Sequence, residues 1–182
     1  MQLPPGFRAQ PAFGDPWPQA LRVAESGEPG TVLWDDAWGR CRAAFLFAPD
    51  PPLLPADLGN LGLLALYDAL ASLAPAQIPL LVVLPDAIVA NAGRVATVRA
   101  AAGPDWGVLG IDLVLDLQSA APGDTPGRTC LVEEGFGPVT AAEALALICH
   151  TLLRGIDRLQ EDGPAAIASR VAQRTASACV IV

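Results

Sequence analysis

The apolar residues of this chain arrive in short blocks, and no uncharged apolar block reaches the ~20 residues that span a bilayer. The run from Ile78 to Leu84 is one such block and stops at Pro85-Asp86. Hydrophobic residues make up 52% of the 182 positions and charged residues 16%, which excludes intrinsic disorder. The blocks therefore belong to a folded interior, and the length suits one ordinary domain. Aromatics are 5% of the chain, so that interior is expected to be aliphatic. The opening residues carry neither the basic patch nor the apolar core of a signal peptide. The expected setting is cytoplasmic, without a membrane.

Residues 1–20 are rich in Pro and Gly and are expected to form an extended arm, laid on the body through Phe7, Phe13 and Trp17. Thr31 to Trp34 and Ala43 to Phe47 read as short strands. From Asp57, a plausible N-cap, Leu58, Leu61, Ala65, Leu66 and Ala69 recur at helical spacing up to Pro75. Gly59 and Gly62 weaken that helix and so are expected to permit close packing. Leu80 to Leu84 is too short for a helix and reads as a buried strand. Ile88 to Ala90, then Asn91-Ala92-Gly93, then Arg94 to Val98 reads as a hairpin, since Asn and Gly tolerate positive φ. Trp106 to Leu117 is a long strand, Pro122 to Gly127 a surface loop and Thr129 to Val132 another strand. Thr140 and Glu143 form a capping box ahead of a helix to about Glu161. Pro164 suits the first turn of a last helix to about Arg174. Hairpin-linked strands with few helices predict an α+β fold: a mixed, largely antiparallel sheet packed with helices. The expected organisation is the arm, one domain over 21–175 and an apolar tail over 176–182.

The formal net charge is −8, which disfavours a nucleic-acid partner. All positive side chains are arginines. Without lysine there is no Schiff base, lysine nucleophile or lysine base. Cys41, Cys130, Cys149 and Cys179 are scattered, so no metal site is expected, and buried, reduced thiols are the simplest reading. Cys179 to Val182 spells a prenylation pattern, but no polybasic stretch precedes it. His150 is the single histidine and sits mid-helix beside Cys149, where a structural role outweighs a catalytic one. Asp35-Asp36 and Glu133-Glu134 lie at predicted strand ends, where adjacent side chains diverge and cannot act as an acid/base couple.

Four segments appear in a telling order: Leu84-Pro85-Asp86-Ala87-Ile88 with Gly93-Arg94-Val95, Pro104-Asp105-Trp106, Glu133-Glu134-Gly135-Phe136, and Asp157-Arg158-Leu159-Gln160-Glu161-Asp162-Gly163. In this order the chain resembles the biotin/lipoate protein ligase family, in particular its short bacterial ligase-like branch, over most of residues 20–175. The resemblance implies the α+β fold of that catalytic domain, ATP and biotin or lipoate as cofactors where activity survives, and an acceptor protein as partner. Active members join a carboxylate to an α-phosphate, so cations and N–H groups must neutralise the charge that develops. By resemblance the catalytic lysine position falls at Arg94. Pro85 and Asp86 stand in the Pro-Asn-Asp segment, and the glycine pair after the hairpin valine reads Ala96-Thr97. Arg40 and Arg42 form the only upstream basic patch, and Arg99 is a further candidate for the ligand. These departures point to a ligase-like domain that has lost full adenylating chemistry and serves as a binding or assembly module. The alternatives are an active ligase with Arg94 in place of lysine, and a scaffold that self-associates as a homo-oligomer.

Overall fold

A computed structural model describes residues 3–117 and 127–176. The elements, in chain order, are β1 (Arg8–Pro11), α1 (Pro16–Val23), β2 (Thr31–Asp35), β3 (Arg40–Phe47), α2 (Pro55–Leu73), β4 (Leu80–Val83), β5 (Ala87–Ala90), β6 (Gly93–Ala102), β7 (Gly107–Val114), α3 (Ala141–Asp162) and α4 (Pro164–Ala176). Seven strands make one sheet in the order β1-β2-β3-β7-β6-β5-β4. Only β1 and β2 run parallel; every other pair is antiparallel. The expected α+β architecture, a mixed and largely antiparallel sheet with helices, is the one observed.

One face of the sheet buries the aliphatic blocks. Val98, Leu109, Ile111, Phe45 and Val32 point from it toward α2 and α3. α2 is apolar on most of its circumference, with Leu58, Leu61, Leu63, Leu64, Leu66 and Leu70 all buried, because sheet, α3 and α4 surround it. Each fully buried leucine contributes roughly 1.5–3 kcal/mol by leaving water. Asp68 of α2 ties the helices together, accepting from Arg174 at 2.7 Å and pairing with Arg158 at 3.5 Å. α3 starts on the expected capping box, in which the Thr140 and Glu143 side chains each satisfy the other's backbone N–H. The Thr140 hydroxyl, donating to Glu143 Oε2 at 2.7 Å, and then the Thr140 backbone N–H hold the Glu143 carboxyl below the usual glutamate range.

Several local expectations are corrected. The segment foreseen as an extended arm contains β1 and the start of α1. Phe7 is buried edge-on against Phe45, ring centroids 5.7 Å apart, whereas Phe13 is 93% exposed. α2 begins at Pro55, so Asp57 lies in its first turn and is not the N-cap. Of Leu80 to Leu84, foreseen as a buried strand, Leu80–Val83 forms the edge strand β4, and Val83 and Leu84 are exposed. Thr129 to Val132 runs into a turn and contributes no strand; the only ladder contact nearby is an isolated bridge of Arg94 with Arg128. The hairpin turn takes its positive φ at Asn91 and Ala92 (47° and 66°), not at Gly93. The loop residues 122–126 and tail residues 177–182, with Cys179, lie outside the described residues.

The helix glycines separate cleanly. A Cβ on Gly62 would meet Leu109 Cδ1 at 2.5 Å and Val98 Cγ1 at 2.9 Å, while one on Gly59 finds only Ala100 Cβ at 3.8 Å. Gly62 is thus the residue that lets α2 lie on β6 and β7. Gly62→Ala is expected to destabilise the fold by about 1–3 kcal/mol in urea unfolding, overpacking outweighing helix propensity. Gly59→Ala should stabilise it by up to about 1 kcal/mol in the same measurement. Equal effects of the two substitutions would refute this packing account.

Candidate functional site

The second face of the sheet is covered over only part of its area. There α1 lays Trp17, Ala20 and Ala24 on Ala44, Leu46 and Val108, a small second core. Beyond it the surface turns polar. Arg42 of β3, Asp112 of β7 and Thr97 of β6 stand in one row of the ladder. Arg40 lies two residues from Arg42 on the same side, and its Nη1 donates to Asp112 Oδ2 at 2.8 Å. Asp112 Oδ1 is buried and has no partner among the described residues.

Arg94 reaches this face through a register slip. Ile88 pairs with Ala96 but Val89 pairs with Arg94, leaving Val95 as an extra residue. Val95 and Ala96 are both buried in the main core, so strict alternation is broken and Arg94 emerges with Thr97 on the polar side. Arg128 is brought alongside by the backbone, since Arg94 N donates to Gly127 O at 2.9 Å. Arg40, Arg94, Thr97, Asp112 and Arg128, with Val114, line an open cleft of about 540 Å³. Arg94 and Arg128 are exposed and have no acidic partner among the described residues. In a chain of net charge −8, this cleft is a local site of positive potential.

Residues 3–173 match the biotin/lipoate A/B protein ligase family. The chain belongs to that family. Among solved structures, a biotin protein ligase-like protein of unknown function from a Silicibacter species is 29% identical, with TM-score 0.82, covering 96% of this chain and 80% of that one. A biotin protein ligase variant from Aquifex aeolicus in complex with biotin is 16% identical, with TM-score 0.77, covering 93% and 78%. The biotin protein ligase from Leishmania major in complex with biotin is 13% identical, with TM-score 0.65, covering 94% and 82%. The last two share the fold. No curated protein sequence matches the chain.

Within this ligase-family fold the candidate residues divide. Arg40 and Arg94 meet at the cleft. Arg42 is turned aside, its Nε donating to Asp35 Oδ2 at 3.0 Å and its Nη2 to the same oxygen. Arg99 pairs with Asp15 at 3.3 Å, at the start of α1. Pro85 and Asp86 are exposed in the β4–β5 turn and do not line the cleft; the Asp86 carbonyl accepts from Val98 N at 2.7 Å. Ala96 and Thr97 both line the cleft, Thr97 from the polar side of β6 and Ala96 from a strand position turned into the core. Asp112 and Arg128 were not foreseen. A lone carboxylate inside the apolar run from Val108 to Leu115 was the available signal for Asp112; Arg128, after a Pro/Gly-rich stretch, had none.

The acidic and thiol candidates settle as structure. Glu133 and Glu134 sit in a turn, so alternation does not separate them. Thr129 Oγ1 lies 2.7 Å from Glu134 Oε1 and 3.2 Å from Glu133 Oε2, and Asn91 Nδ2 donates to Glu134 Oε2 at 2.6 Å. The group pins the turn to the hairpin tip. His150 is exposed while Cys149 is buried. Among the described residues no group of three or more His, Cys, Asp or Glu is placed to hold a metal ion, and no helix is long and apolar enough to cross a membrane. A second hollow, of about 710 Å³, opens at the far end of β3 between α2 and α3. Phe7, Phe47, Leu58, Leu61, Leu153 and Ile156 line it, and it contains no arginine.

Burial pushes the Cys149 thiol up to about 12. Burial, aided by the nearby Cys149 and by the charges of Asp112 and Asp36, does the same for Cys41. Only the thiolate reacts. Neither residue is therefore expected to be labelled by an aromatic disulfide reagent at pH 8 in the native protein, as read by peptide mass spectrometry, and both should label in urea. Fast native labelling of either would contradict the burial.

Proposed function

We propose that this chain is a ligase-family domain that binds an anionic group, a carboxylate or a phosphate, without completing adenylate transfer, and that it serves as a binding or assembly module. The observation that carries this reading is the pairing pattern of the arginines. Arg40 is neutralised by Asp112 and Arg42 by Asp35, whereas Arg94 and Arg128 stand together in the cleft with no ion-pair partner among the described residues. Two adjacent guanidinium groups are suited to the bidentate binding of carboxylate or phosphate oxygens. They fit the phosphates of a nucleotide as an anion, but they are broader than a lysine ammonium and hold no exchangeable charge. Thr97 stands on the same floor, where resemblance to the family places a glycine, and narrows the approach of a ligand to the β6 backbone.

The second reading is an active ATP-dependent ligase for biotin, lipoate or a short acyl group, with Arg94 stabilising charge on the reacting phosphate. Emergence of Arg94 on the cleft side favours it. The readings separate on turnover. With ATP and biotin, lipoate or octanoate, no pyrophosphate release is expected, while inorganic pyrophosphate itself should bind in calorimetry. Arg94→Ala should weaken that binding about tenfold, the loss of one charge-assisted contact. ATP-dependent turnover that Arg94→Ala abolishes would replace the first reading with the second.

A further inference from the structure

We propose that Trp17 limits the size of the acid this cleft admits, by filling the stretch of sheet along which an apolar tail would lie. This inference rests on the anion-binding reading of the cleft. Gly110 and Asp112 are two residues apart on β7 and point to the same face, so they are neighbours along the strand. At Asp112 the face is open and polar. At Gly110 there is no side chain, and Trp17 takes the vacant place: a Cβ on Gly110 would lie 2.5 Å from Trp17 Cε3. The hollow that remains around Trp17, Arg42, Arg99, Gly110 and Asp112 measures about 10 Å³, barely space for one water. Asp112 lines both this remnant and the 540 Å³ cleft. The two are one trough along the sheet, interrupted by an indole.

The indole is held there by charge as well as packing. Asp15 accepts from Trp17 N through Oδ1 at 3.0 Å, capping α1, and from Arg99 Nη1 through Oδ2 at 3.3 Å. Arg99 pairs in register with Gly110, so the ion pair fixes the helix start directly beside the glycine that Trp17 covers. A ligand anchored on Arg94 and Arg128 thus meets the indole as it extends along β7. A short anion fits; an acid bearing a long chain or a ring system meets the space that Trp17 already fills.

Calorimetry with inorganic pyrophosphate and with biotin, on the full chain and on Trp17→Phe, Trp17→Leu and Trp17→Ala, tests this. Pyrophosphate affinity should stay within about threefold throughout, which also reports that each variant is folded. Biotin affinity should rise stepwise as the side chain shrinks, by about tenfold or more at Trp17→Ala. Adding Arg94→Ala to Trp17→Ala should remove that gain, because the carboxylate anchor is lost. A gain that survives Arg94→Ala would mean a cavity indifferent to the cleft and would overturn the inference. Unchanged biotin affinity beside intact pyrophosphate binding would overturn it too, leaving the anion-binding reading in place. Failure of the unsubstituted chain to bind pyrophosphate would overturn both.

Discussion

Between Ile88 and Val89 the ladder of β5 against β6 slips by one residue, and Val95 and Ala96 both turn into the core. Side chains on a strand alternate, so a slip of one reverses the side of everything beyond it. Counting back from Ala96 without the slip would place Arg94 among the leucines under α2, where an unpaired guanidinium would cost several kcal/mol. The bulge instead satisfies both demands: one more apolar residue for the core, and a cation on the polar face. Burial of Val95 is thus the constraint on which the position of Arg94, and with it the cleft, depends.

The polar face is organised by which cations are already neutralised. Moving from α1 toward the hairpin, Arg99 is paired with Asp15, Arg42 with Asp35 and Arg40 with Asp112. These pairs are all partly exposed, so each adds little to stability. Their effect is spatial. They remove charge from the stretch that Trp17 covers and leave Arg94 and Arg128 as the cations of this cleft without an ion pair among the described residues. In a strongly acidic chain without lysine, positive charge on this face is thereby gathered at one place.

Legibility followed sequence distance. The capping box of α3, the β5–β6 hairpin and the apolar face of α2 rest on residues within a few positions of one another, and all three were readable. β1 was not: Arg8 to Pro11 has no alternating pattern and becomes a strand because β2 offers it a parallel edge and Phe45 offers Phe7 a buried contact. The exposed burial of all four β1 residues explains the missing signal. Thr129 to Val132 had strand composition yet turns, because Thr129, Glu134 and Asn91 tie it to the hairpin tip. Arg42 and Arg40, adjacent in every sequence argument, separate once Asp35 and Asp112 select between them.

Composition and short-range pattern alone determined that this chain buries an aliphatic core, builds a largely antiparallel sheet with a long capped helix, and offers only arginine as a cation. Those properties depend on residue chemistry and on spacings of two to four positions, which any reader of the chain possesses. Which arginines are paired across the sheet, and where the indole covers it, depended on contacts across the fold: Arg40 with Asp112, 72 positions apart, and Trp17 against Gly110. Charge compensation and steric filling are set by distance in space, and only the packed sheet brings those residues together.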